Sequence, residues 1–263
     1  MSNSRQQKME AFGQLLDVLD ELRVKCPWDR KQTNESLRCN TIEEVYELSN
    51  ALLNEDVADI RKELGDVLLH VIFYAKIADE KAQFDIADVC NSLREKLIFR
   101  HPHVFGEVAV NNSTEVEQNW EQLKLKEKGG NKRVLDGVPE ALPALIKAER
   151  VQEKAANYGF DWEKKEDVWA KVKEELNEVE AEMQKGEIGQ DALSEEFGDL
   201  FFSMINAARL YKVNAENALE LTNRKFIKRF NYIESKALEM GRSMKDMTLS
   251  EMDELWNEAK RLG

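Results

Sequence analysis

The sequence predicts an all-α protein built from two tandem helical domains, and three observations predict it. Apolar residues recur with the 3.6-residue period of a helix through most of the 263 residues, while strand-like alternation is scarce. All four prolines, Pro27, Pro102, Pro139 and Pro143, fall between helix-like stretches, where a missing N–H costs little. A pattern of acids, Glu43-Glu44-x-x-Glu47 … Glu63-x-x-Asp66, returns as Glu174-Glu175-x-x-Glu178 … Glu196-x-x-Asp199. Length alone allows one large domain or two ordinary ones. The repetition favours two.

Residues 5–25 read as a helix with Phe12, Leu15, Leu16, Leu19 and Leu22 along one side. Residues 41–54 and 56–81 read as two helices joined at Asn54-Glu55-Asp56, and 86–100 as a third. The string His101-Pro102-His103-Val104-Phe105-Gly106 reads as a loop, and Thr114-x-x-Glu117 as a capping box opening the next helix. The run Glu127-Lys128-Gly129-Gly130-Asn131-Lys132 breaks the pattern, and Val134 to Pro139 follows it. This places a first domain at 1–126, a linker at 127–140 and a second domain at 141–263. Helices are then expected at 141–157, 166–185, 190–212, 215–240 and 249–262, the last opened by Thr248-x-x-Glu251.

The repeat keeps its register. Glu44 to Glu175 and Glu47 to Glu178 are each 131 positions apart; Glu63 to Glu196 and Asp66 to Asp199 are each 133. The two extra residues fall in a longer turn, Lys185-Gly186-Glu187-Ile188-Gly189. Loops absorb insertions, whereas a slip within a helix would rotate its face. Trp28 matches Trp162, Lys96 and Arg100 match Lys225 and Arg229, and Trp120 and Lys124 match Trp256 and Lys260.

A net charge of −13 argues against binding nucleic-acid polymers, which needs basic surface to displace counterions. Cys26, Cys39 and Cys90 form no CxxC pair and read as reduced thiols of a cytoplasmic protein. The N-terminal segment has no long apolar run, and no stretch approaches the roughly 20 apolar residues of a membrane span.

The acids carry the chemistry. Residues three apart share a helix face, so two such helices packed together aim four carboxylates at one another. Two like charges about 4 Å apart repel by roughly 4 kcal/mol at an effective dielectric near 20. A divalent cation or protonation relieves this. Ile42, Val45 and Leu48 interleave with the first acids, and Asp66 and Asp199 are embedded in apolar runs, so buried acids are expected. Gly65 and Gly198 beside those aspartates would let another helix approach closely.

Carboxylate oxygens favour hard cations such as Mg²⁺, Mn²⁺ or Ca²⁺. The three histidines, His70, His101 and His103, all lie in the first repeat, which argues against zinc and against di-iron Glu-x-x-His pairs. Mg²⁺ commonly bridges to phosphates, so the substrate expected is a phosphate ester or nucleotide. Lys225 and Arg229, one helical turn apart, suit phosphate oxygens. Trp256 and Lys260 share a face. No G-x-x-x-x-G-K-[ST] loop occurs.

The acid motif, its tandem arrangement, and the strings CPWD (26–29), RHPHVFG (100–106) and LDGVP (135–139) together resemble the MazG family of nucleoside triphosphate pyrophosphohydrolases. The resemblance implies a homodimer whose domains build helical bundles, and Mg²⁺-dependent cleavage of a nucleoside triphosphate to monophosphate and pyrophosphate. It also implies a catalytic second repeat. Glu175, Glu178, Glu196 and Asp199 would hold Mg²⁺, Lys225 and Arg229 would bind phosphate, and Trp256 would contact the nucleotide. Residues Lys171 to Glu175 would line the nucleotide pocket, with Glu44, Glu47, Glu63 and Asp66 as a second site.

The residues also favour the second repeat. Asn206, seven positions after Asp199 on one helical face, hydrogen-bonds, whereas its counterpart Phe73 does not. Lys171 and Lys173 stand where the first repeat has Asn40 and Ile42. The first repeat is therefore expected to support dimerisation, to bind weakly or differently, and to be weakly active or non-catalytic. Glu174 or Glu195 are candidates for the general base. The alternative is a regulatory module that binds nucleotide or a partner protein without turnover.

Overall fold

The computed structural model describes residues 3–110, 112, 115–116, 119–120, 123, 133–185 and 189–262. Among the described residues there is no strand, and ten α-helices are bounded. They are α1 (Arg5–Lys25), α2 (Asn34–Leu53), α3 (Val57–Asp79), α4 (Ile86–Arg100), α5 (Pro102–Phe105), α6 (Ala144–Ala156), α7 (Val168–Met183), α8 (Gln190–Leu210), α9 (Ala215–Glu239) and α10 (Leu249–Leu262). The chain divides into two compact units, Met1–Ala109 and Val110–Gly263. The break at 127–132 and the Thr114-x-x-Glu117 box lie outside the described residues.

Local chemistry sets the helix starts. Ser4 and Gln7 form a capping box for α1, and Asp85 and Asp88 one for α4. Asp56 accepts from the Ala58 and Asp59 amides at the start of α3. Thr248 and Glu251 exchange the expected bonds at α10. Helix α2 begins seven residues before the expected 41, because Thr33 and Ser36 cap each other. Its first turns are polar apart from Leu37, so no apolar period marks them; Leu37 is nonetheless 2% exposed. The expected loop at 101–106 contains the one-turn α5, with Pro102 at its start. Gly106 closes that turn, where a Cβ would lie 2.9 Å from the Pro102 carbonyl oxygen.

In the first unit α2 packs on α3 across a short turn. The core joins Leu19, Leu37, Ile72, Phe73 and Ile77, with Phe12, Leu15 and Leu16 against it. Leu22, expected on that side, is exposed. Arg23 is buried instead. It makes a two-pronged pair with Glu80 at 2.8 and 2.5 Å and donates to the Asp29 and Gln32 carbonyls. Its guanidinium lies 5.4 Å from the Phe73 ring centroid.

In the second unit α7 packs on α8, α6 on α8, and α9 on α10. Ile233, Ala237, Met247 and Leu255 form the α9–α10 core, with Trp256 packed against it. Among the described residues Gly65 and Gly198 receive no neighbouring helix: nothing there lies within 4 Å of a Cβ placed at either. Both are exposed, as are the apolar residues beside them, Leu64, Phe197 and Phe201. No helix among the described residues is long and apolar enough to cross a membrane.

Candidate active site

The helix pairs bring the acids together as their spacing requires. In the second unit Glu175 on α7 meets Glu196 and Asp199 on α8, each offering one oxygen within 4.8 Å of the others. In the first unit Glu44 on α2 meets Glu63 and Asp66 on α3 within the same limit. Each tight group holds three of the four expected acids. Glu47 and Glu178 stand at the exposed edge. Glu178 still feels its cluster: the closeness of the Glu175 carboxyl, then burial and repulsion from Glu175 and Glu196, push its pKa above the ordinary carboxylate value. Glu44 is raised as well, first by burial and then by the charges of Glu47, Asp66 and Glu63.

The buried acids are not the aspartates. Asp66 is half-buried and Asp199 is exposed, because they lie beside the outward-facing part of their runs, Leu64 and Leu69 in one and Phe197 and Phe201 in the other, while Leu200 is buried. The buried members are Glu63, 2% exposed, and Glu175, 4% exposed. Each keeps a buried Oε2 without a hydrogen-bond partner. A buried carboxylate oxygen without a donor is costly, and in both units its residue belongs to a cluster whose ligand atoms are all carboxylate oxygens. This donor set fits a hard divalent cation.

The units differ in where charge is concentrated. In the second, the buried acid lies on the Glu-Glu-x-x-Glu helix and Lys171, one turn earlier, pairs with its Oε1 at 2.5 Å and with Glu174 at 2.9 Å. Those two hydrogen bonds raise the Lys171 pKa strongly. In the first, the buried acid lies on the other helix, and Lys62 pairs with Glu63 at 2.7 Å and approaches Glu47 at 4.0 Å. His70, one turn beyond Asp66, is buried. Its Nδ1 lies 3.0 Å from the Thr41 hydroxyl, which also meets Tyr74 at 2.5 Å.

The remaining expected residues form two further groups in the second unit. Lys225 is exposed and Arg229 half-buried on α9, and neither has a carboxylate partner among the described residues. Arg229 lies 5.4 Å from the Trp256 ring centroid, and Trp256 leans on Phe226 at 5.1 Å. Lys260 and Glu195 are exposed. Asn206 lines a cavity with Gln152, Phe160, Asp161 and Arg209. Nothing in the spacing marks Gln152, which sits in the largely polar stretch Glu149 to Lys154, broken only by Val151. The run Phe160-Asp161-Trp162, with two aromatics flanking an acid, is the signal that points toward this cavity.

Comparison with known proteins agrees with this geometry. The family model described as the MazG nucleotide pyrophosphohydrolase domain matches residues 32–105 and again 163–233. The chain is 41% identical over 258 residues to the nucleoside triphosphate pyrophosphohydrolase of Escherichia coli K12, covering 96% of this chain and 98% of that protein. It is 42% identical over 252 residues to the Thermotoga maritima nucleoside triphosphate pyrophosphohydrolase/pyrophosphatase MazG, covering 95% of each. The uncharacterized protein YabN of Bacillus subtilis is 46% identical over 95% of this chain, which spans 51% of it. With two matched segments, each containing one acid cluster, this chain belongs to the MazG family of nucleotide pyrophosphohydrolases, hydrolases acting on phosphoanhydride bonds.

Proposed function

We propose that this enzyme hydrolyses nucleoside and deoxynucleoside triphosphates broadly, by water attack at the α-phosphorus, releasing monophosphate and pyrophosphate. Glu175, Glu178, Glu196 and Asp199 would hold Mg²⁺, with Mn²⁺ as a substitute. The bound cation would neutralise charge on the phosphate oxygens. The observation that carries this reading is the buried, unpartnered Glu175 Oε2 within a three-carboxylate group.

The chain's own residues have separable tasks. Lys171 neutralises Glu175 and Glu174 and so holds the buried carboxylate in place. Glu174 and Glu195 are exposed beside the cluster, where a carboxylate can accept a proton from the attacking water. Lys225 and Arg229 take phosphate oxygens, and Trp256 steers Arg229 by stacking while contacting the nucleotide.

The first unit keeps Glu44, Glu63 and Asp66 as a second cation site, yet has Phe73 in the core where the second unit has Asn206. We assign it to homodimer assembly. Ile42, Val45 and Leu64 beside Gly65, and Phe197 and Phe201 beside Gly198, leave apolar surface uncovered in the single chain. Light scattering should give twice the chain mass, and Leu64→Asp in the first unit should lower it.

Product analysis across common triphosphates with Mg²⁺ tests the reaction. Monophosphate and pyrophosphate in equal amounts are expected, lost in Glu175→Gln and retained in Glu44→Gln. Diphosphate with orthophosphate would refute the position of attack. Tight binding without pyrophosphate release would favour a regulatory module.

A further inference from the structure

The acid cluster leaves one feature of the second unit without a role. A cavity of about 520 Å³ opens between α6, the segment after it, and α8. Gly159, at φ +85°, turns the chain left-handed at the end of α6. The Phe160 amide then bonds the Ala155 carbonyl at 3.1 Å, and the Phe160 ring is left 84% exposed at the cavity. Trp162 and Phe202 supply further aromatic wall.

Two amides give this space a polar code. Gln152 is 6% exposed, and its Nε2 donates to the Phe202 carbonyl at 2.8 Å. That bond fixes the amide orientation and leaves Oε1 as a buried acceptor with no partner. An unsatisfied buried acceptor is unfavourable unless a ligand donor reaches it. Asn206 Oδ1 accepts from Arg209 at 3.1 and 2.8 Å, and Asp161 holds Arg209 in turn at 3.1 and 2.5 Å. Asn206 Nδ2 is thereby fixed as a donor. Gln152 and Asn206 both line the cavity among aromatic rings, one with a buried unpartnered acceptor and the other with an oriented donor.

Position ties it to the reaction. Asn206 follows Asp199 by seven residues on α8, so it lies about 10 Å along the helix on the same face. This is comparable to the reach of a ribose and base from the α-phosphate. In the first unit the matching Phe73 is closed into the core and covered by Arg23.

We propose that this cavity is the nucleobase pocket. Gln152 Oε1 accepts an N–H of the base, Asn206 Nδ2 donates to a neighbouring ring or carbonyl acceptor, and Phe160 and Trp162 cover the ring. The Asp161–Arg209 pair is a positioning device that holds Asn206. The inference rests on the triphosphate hydrolysis proposed above.

The test uses full-length enzyme with Mg²⁺. Nucleoside triphosphate kinetics are measured alongside inhibition by inorganic tripolyphosphate, which has no base. Asn206→Leu and Phe160→Ala should each raise KM about tenfold, the worth of one lost contact. In both variants kcat and the tripolyphosphate inhibition constant should stay within about twofold. Phe160 is too exposed for its truncation to unfold the chain, which keeps the test open should Asn206→Leu misfold. Unchanged KM in both variants would overturn the pocket while leaving the hydrolysis intact. A parallel rise in KM and the tripolyphosphate constant would also overturn it. Absence of pyrophosphate release by the unaltered enzyme would refute the hydrolysis instead, and calorimetric binding of a nucleoside monophosphate, weakened in Asn206→Leu, would still report on the pocket.

Discussion

Replacing Glu175 by Gln should make the metal-free protein more stable and remove its response to Mg²⁺ at the second unit. The Glu175 carboxylate lies within 4.8 Å of Glu196 and Asp199 oxygens. At that separation each repulsion is worth about 3.5 kcal/mol at an effective dielectric near 20. Exposure of Asp199 screens one of them. Loss of the Lys171 pair opposes the gain by about 1 kcal/mol, since that lysine is 40% exposed. A net stabilisation of roughly 1–3 kcal/mol without metal is therefore expected. A cation at 100 times its Kd stabilises the unaltered site by about 2.7 kcal/mol, or several degrees in Tm for a unit of this size. Thermal melts in EDTA and in Mg²⁺ read both effects. The first unit has its own cluster, so Glu63→Gln/Glu175→Gln should abolish the Mg²⁺ shift altogether. A variant less stable than the parent in EDTA, or a double variant with an undiminished Mg²⁺ shift, would refute the reasoning.

Other expectations follow from single contacts. Lys225→Ala and Arg229→Ala should each raise KM for triphosphate by about tenfold or more, as charged hydrogen bonds to phosphate are lost; an unchanged KM in both would remove α9 from the site. The Arg23 hydrogen bonds hold the Glu80 carboxyl below its ordinary value of 4.5, so the pair's contribution is present above that pH and lost as pH falls through the lower folded value. Glu80→Gln should cost about 1–2 kcal/mol near neutrality and flatten the acid limb of urea titrations below pH 4.5. Gly106→Ala should destabilise the first unit by about 1–3 kcal/mol, read by urea unfolding, because the added methyl meets a backbone oxygen at 2.9 Å.

The helical fold, the tandem repeat and the two acid clusters were determined by the sequence alone. Their signals are local: a 3.6-residue period, caps, and acids three apart on helices joined by short turns. The same locality limits them. The polar first turns of α2 hid its start, since a Thr33–Ser36 cap leaves no apolar trace. Spacing placed Glu175 and Asp199 in one cluster, but the apolar run pointed to the aspartate as the buried acid, whereas burial depends on which face the partner helix covers and falls on Glu175. Arg23, rather than the expected Leu22, is buried because Glu80, 57 residues away, together with the Asp29 and Gln32 carbonyls, supplies the acceptors that make a buried guanidinium tolerable. The cavity with its unpaired Gln152 acceptor belongs wholly to the tertiary structure, because Gln152, Phe160 and Asn206 are brought together only by packing of α6 on α8.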